Sequence, residues 1–240
     1  MKTILTKTIF LLFVSLTLTS CNLGFFGVTG NGNVITENRK LNDDFSIINV
    51  STGIDVYITQ GDKNDVTVEA DENLHDIIIT EIENGKLKIY TEEGIWKAKA
   101  KKVHVTVKNL EELNATSGSD VYSTNEITTK DFNVTATSGA DVDITVNAEN
   151  VKSSATSGSD LKISGVSVNH TSEANSGASI DAYNLESKNA FAFVTSGADI
   201  NIYASEKIEA NANSGGDIDY KGNPKQTKKN SNSGGSISKE

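Results

Sequence analysis

The phrase NATSGSDV, residues 114–121, returns along the second half of the chain as TATSGADV, SATSGSDL, EANSGASI, FVTSGADI, NANSGGDI and, in worn form, SNSGGSI. Aligned on Ser-Gly, the glycines are Gly118, Gly139, Gly158, Gly177, Gly197, Gly215 and Gly234, separated by 21, 19, 19, 20, 18 and 19 residues. A phrase of strand, tight turn and strand recurring at this period is the mark of a solenoid, in which each repeat forms one coil. The Leu-rich frame of leucine-rich repeats is missing, so the pattern predicts an all-β parallel β-helix with coils of about 18–21 residues. Coils would stack at the strand spacing of about 4.8 Å, bringing the same position of successive repeats into one column.

Alternation assigns the columns. Three residues after each glycine stand Val121, Val142, Leu161, Ile180, Ile200, Ile218 and Ile237; two further on stand Ile144, Ile163, Ala182, Ile202 and Tyr220. Before the turn, Ala115, Ala136, Ala155, Ala174, Val194 and Ala212 make a third apolar column. These sets predict one continuous core. Glycine at the corner provides positive φ without a Cβ clash. The preceding Thr116, Thr137, Thr156, Asn175, Thr195, Asn213 and Asn232 are expected to form a polar ladder. In the last coil Thr227, Lys229 and Ser231 fall at inward positions, a polar cap against end-to-end stacking.

The first half carries the same phrase once, as Gly53-Ile54-Asp55-Val56, and so is expected to add early coils with longer insertions. Asn84-Gly85 between alternating segments predicts a hairpin. Residues 71–78 carry Leu74, Ile77 and Ile78 at helical spacing and predict a short helix capped by Asp71.

At the N-terminus Lys2 and Lys7 precede an apolar run from Ile9 to Leu18 that is too short to span a bilayer, so residues 1–20 read as an export signal. Leu18-Thr19-Ser20-Cys21 resembles a bacterial lipobox, which implies cleavage before Cys21 and lipidation of its sulfur and new amino group. Cys21 is the only cysteine, so no intrachain disulfide competes for it. Several acyl chains at about 0.8 kcal/mol per buried CH₂ would anchor the chain stably to a lipid bilayer. Gly-rich residues 21–32 would serve as lipidated start and tether. Asn22 in place of an aspartate points to the outer membrane and leaves the periplasmic or outward side open. Formal charge is −10, and about −12 once Lys2 and Lys7 are removed; there is one arginine, Arg39. This balance argues against a nucleic-acid partner, whose phosphates require basic residues.

Two residues after the glycines, Asp55, Asp120, Asp141, Asp160, Asp199 and Asp217 form an outward column interrupted by Ser179 and Ser236. Neighbouring carboxylates at this spacing repel by about 1 kcal/mol in water, and more where water is excluded. One reading is calcium, which takes several oxygen ligands. The phrase resembles the Gly-x-Asp frame of calcium-binding β-rolls, although those repeat every nine residues. The other reading is structural: each carboxylate accepts hydrogen bonds from backbone N–H groups at the Ser-Gly corner or from neighbouring Ser/Thr hydroxyls. No other cofactor is implied. Tyr57 and Tyr122 share the next outward column and could meet a sugar, while Trp96 lies in a lysine-rich loop. His75, His104 and His170 are scattered, with no metalloprotease or nucleophile motif; His170 falls near an inward column and is expected to be packed. β-Helices host pectin-cleaving enzymes, but a paired-acid site would rest on Asp141 and Asp143 on a flat face, more often a solvated strip.

The run VSTGIDVYITQGD, then VTVEADENL, NGKLKIYT and the Ser-Gly-x-Asp coils, resembles the autotransporter-adhesin head GIN domain family over roughly residues 32–235. The family's Gly-Ile-Asn stands here as Gly53-Ile54-Asp55. The resemblance implies a right-handed parallel β-helix on an exported bacterial protein of Bacteroidetes type, with no catalytic residues to carry over. The organisation expected is residues 33–113 as N-terminal coils and hairpin and 114–238 as regular repeats. The function expected is a non-enzymatic envelope lipoprotein that binds a surface polysaccharide or protein. A calcium-binding or carbohydrate-active β-helix, and a periplasmic structural or stress-related lipoprotein, are the alternatives.

Overall fold

The computed structural model describes residues 27–240; the expected export signal, Cys21 and the start of the expected tether lie outside the described residues. The regular elements of the described chain are all β-strands apart from one 3-10 turn, and the strands stack as parallel coils. From Ile127 to Val194 the strands are long and pair in parallel: Asp141–Thr156 with Asp160–Asn175, and that strand with Ser179–Val194, with one register shift between Lys162 and Ser164. The three predicted apolar columns are buried, with Ile237 of the last coil only half so. A further inward column of small residues, Ser119, Ala140, Ser159, Ala178 and Ala198, directly follows each corner glycine.

The corner is tighter than glycine alone implies. Serine and glycine both adopt the left-handed conformation, for example Ser157 at φ 58° and Gly158 at φ 67°, and Thr52-Gly53 repeats this upstream. Two consecutive left-handed residues make a type I′ turn, closed where Gly216 N–H donates to the Asn213 carbonyl at 3.0 Å. From Gly118 to Gly215 each corner glycine N–H also donates to a serine carbonyl of the following coil, as Gly158 does to Ser176 at 3.3 Å. The expected Thr/Asn ladder is mostly local. Thr156 donates to Asn175 across coils at 2.5 Å, whereas Thr116, Thr137 and Thr195 contact the serine beside them. The cross-coil amide ladder sits at another corner, where Asn189 donates to Asn169, Asn169 to Asn150, and Asn150 to Asp131.

The first half joins the same stack, out of chain order. Ile47–Val50 and Asp55–Gln60 form a coil lying between Glu112–Ser123 on one side and Lys86–Val107 on the other. The excursion from 65 to 107 therefore builds outward from the first phrase and closes that end. Asp65–Asp71 runs antiparallel to Lys101–Val107, Val34–Arg39 runs antiparallel to Asp65–Asp71, and the Asn84-Gly85 hairpin joins Ile78–Glu83 to Lys86–Thr91 as expected. The ladder is continuous across the expected boundary at 113/114.

Two local expectations are corrected. Residues 72–74 make only a 3-10 turn, and Asp71 does not cap it with its side chain. The buried Asp71 carboxylate instead accepts from the N–H groups of Gly32, Lys99 and Ala100 at 2.9–3.3 Å. Burial raises its pKa, but the three backbone donors outweigh that and hold it below the ordinary value. Nor is the tether free up to Gly32: Val28–Thr29 pairs in parallel with Ile95–Lys97. At the far end Gln226–Ser231 is exposed along its length, with Lys229 Nζ 4.5 Å from the centre of the Tyr220 ring. The inward columns thus end on a polar coil.

Candidate functional site

Alternation and parallel register put two outward columns side by side on the sheet that follows the Ser-Gly corner. The first runs Lys102, Asp55, Asp120, Asp141, Asp160, Ser179, Asp199, Asp217 and Ser236. The second runs His104, Tyr57, Tyr122, Asp143, Lys162, Asp181, Asn201, Asp219 and Ser238. All six predicted aspartates therefore lie in one row, and Tyr57 and Tyr122 are adjacent as expected.

Among the described residues no corner N–H donates to these six carboxylates. The corner N–H groups are already taken by backbone: Gly139 donates to Ser157, Ala140 to Thr137 and Asp141 to the Ser119 carbonyl of the preceding coil. Of the six carboxylates, those of Asp141, Asp160, Asp199 and Asp217 are exposed, and those of Asp55 and Asp120 are half-buried. At the first-coil end cations answer the charge. Lys101 Nζ lies 3.4 Å from Asp55 and donates to the Gly53 carbonyl, and Lys102 lies 3.7 Å from Glu69. Further along, Asp120 titrates above the ordinary carboxylate value because it is partly desolvated and faces Asp55 and Asp141. Asp199 is raised likewise, by desolvation and by Asp217 and Asp219. Among the described residues no group of three or more His, Cys, Asp or Glu side chains converges as a metal ion would require.

The second column holds a feature that the repeat phrase does not reveal. His104, Tyr57 and Tyr122 stack face to face, with ring centroids 5.3 and 5.4 Å apart and interplanar angles of 21° and 24°. Glu69 holds the His104 end at 3.2 Å. The Ser-Gly marker is absent before His104 because residues 92–100 replace the corner there. The alternation of Lys102 and His104 with Val103 and Val105 was the signal available. Tyr122 ends the stack at 37% exposure. Beyond its ring opens a shallow depression lined by Tyr122, Asp141, Asp143, Asp160, Lys162 and Asp181. Lys162 is oriented there by Asp143 at 3.0 Å, a bond that also raises the lysine pKa. Chemically the depression offers one aromatic edge, several hydrogen-bond acceptors and one fixed donor. Trp96 is elsewhere, 61% exposed on the short strand Ile95–Lys97.

Solved structures share this architecture. A "putative adhesin" from Bacteroides fragilis superposes with a TM-score of 0.83 at 22% identity, covering 89% of this chain and 100% of that one. A "putative lipid binding protein" and a further "putative adhesin" from Parabacteroides distasonis each give a TM-score of 0.73, at 23% and 19% identity. Each covers 89% of this chain and 99% of the other. At such identities the likeness concerns the fold. No curated protein matches. The family described as "Putative auto-transporter adhesin, head GIN domain" matches residues 44–224, and the chain belongs to that family.

Proposed function

We propose that this protein is a non-enzymatic lipoprotein of the outer membrane, held by acylated Cys21, that uses the aspartate–tyrosine face of its coil stack to adhere to a polysaccharide. The observation that carries the reading is the end of the aromatic stack. Tyr122 abuts a shallow trough whose lining includes four carboxylates, Ser179 and the oriented Lys162. Sugars combine apolar C–H faces with many hydroxyls, so an aromatic surface beside charged hydrogen-bonding groups suits them. The column spacing of about 4.8 Å is comparable to the length of one sugar ring in an extended chain. A long glycan could therefore meet equivalent positions of successive coils. Membership of an adhesin family agrees with a binding role at the cell envelope.

The test is a panel of bacterial and host polysaccharides, with binding measured for the wild type and for Tyr122→Ala. The expected outcome is a ligand whose affinity falls about tenfold in the variant, equivalent to ~1.4 kcal/mol. Equal binding by the variant, with its melting temperature unchanged, would remove Tyr122 and the trough from the reading. Repeating the measurement with a chelator addresses the calcium alternative, because a cation bridging carboxylates to sugar hydroxyls makes binding chelator-sensitive.

A further inference from the structure

Val28–Thr29 and Ile95–Lys97 form a small parallel sheet of their own, separate from the coil stack. Val28 N–H donates to the Gly94 carbonyl and Gly30 N–H to the Lys97 carbonyl, both at 2.7 Å, and Asn73 donates to the Thr29 carbonyl at 2.9 Å. A side chain at Gly27 would collide with the backbone of Gly94 and Trp96, so the chain enters the fold directly against Trp96. Asp71 pins the two approaches together through Gly32 on one side and Lys99 and Ala100 on the other. Trp96 is thus an exposed indole on a fixed edge, at the point where the described chain begins.

From Cys21 to Gly27 the chain can reach at most about 21 Å when fully extended. That stretch contains Leu23, Phe25 and Phe26, which favour a lipid interface over water. We infer that the Val28–Thr29/Ile95–Lys97 edge is a membrane-contact surface, with Trp96 lying in the headgroup region of the bilayer that holds the Cys21 acyl chains. The inference rests on the lipoprotein reading of Leu18-Thr19-Ser20-Cys21. An indole, apolar in body with one N–H, prefers that region. Lys97 and Lys99 are exposed beside it and can extend their ammonium groups to lipid phosphates. Glu92 and Glu93 are also exposed on this loop and offset that charge, so the indole and the apolar tether supply the attraction. A contact here would fix the first coil at the membrane instead of leaving the stack to swing on a flexible lead.

The chain has one tryptophan and one cysteine, so both ends of the argument can be addressed without mutation. The chain from Cys21 onward is coupled through its thiol to a maleimide-headed phospholipid in vesicles of phosphatidylethanolamine and phosphatidylglycerol. The expected result is a blue shift of Trp96 emission and quenching that is roughly twofold stronger by lipids brominated near the glycerol than near the chain end, as for an interfacial indole. Unshifted emission with no quenching by either lipid overturns the inference, and so does a shift that appears only when polysaccharide is added. Native lipidation is read separately, from the mass of the chain expressed with its leader. An unmodified Cys21 would overturn the lipoprotein reading, whereas a lipidated Cys21 with Trp96 unquenched would overturn the membrane contact alone.

Discussion

Gly158 and Gly165 both carry positive φ, 67° and 114°, but for different reasons. At Gly158 a Cβ would meet nothing within 4 Å, so alanine there pays only for left-handed backbone, about 1–2 kcal/mol. Gly165 sits in an inward column between Val146 and Leu185, beside a register irregularity at 162–164, and its Cβ would lie 1.9 Å from the Val146 carbonyl oxygen. Gly165→Ala should therefore cost ~4 kcal/mol or more, in the range reserved for severe lesions, and Gly158→Ala clearly less. Urea denaturation of the two variants checks the order; equal losses would refute it. The repeat phrase identified the corner glycines because turn chemistry is local. It could not reveal that the serine before each is left-handed as well, nor that Ser164-Gly165 serves packing instead of turning, because both depend on the neighbouring coil.

At the scale of the strand, inward and outward positions were legible from alternation, and the structure departs from them little. The stacking order of the first half was not legible. Nothing in residues 47–60 says that 86–107 will pair on one side and 112–123 on the other. His104 was missed as part of the aromatic column for that reason. His170 was correctly expected inside, and its surroundings make it informative. It is fully buried between Val151 and Ala190, its Nε2 lies 2.8 Å from Ser153 Oγ, and Ser153 in turn donates to Ser172. Ser153 therefore accepts from Nε2–H, while Nδ1 is left as a buried atom without a partner. Burial pushes the pKa down to about 3, from 6.5 for an ordinary histidine. The unfolded chain thus takes up a proton that the folded chain refuses. Stability should fall as pH drops from 6.5 toward 3 and rise with pH across that window. Asp120 and Asp199, raised above the ordinary 3.8, oppose this in the lower part of the window. The difference between wild type and His170→Val isolates the histidine. The variant's melting temperature should depend less on pH between 6.5 and 4, and an unchanged slope would contradict the account.

Over the whole molecule, eight strand pairings separate Lys102 from Ser236, a stack about 38 Å long at ~4.8 Å per step. Its two ends are finished differently. Antiparallel strands close the first-coil end, where the chain from Cys21 enters beside Trp96; the polar coil Gln226–Ser231 closes the other. With the first end at a membrane, the aspartate–tyrosine face would extend away from it, accessible along its length. The period of Ser-Gly made this architecture readable. The ligand was not readable, because a row of carboxylates serves solubility, cation binding and glycan recognition alike until the neighbouring column is known. Protease shaving of intact cells, with a periplasmic protein as the leakage control, decides whether this face meets the environment of the cell. The folded domain should be released or degraded while the control stays intact. Protection until the outer membrane is opened would contradict direct adhesion.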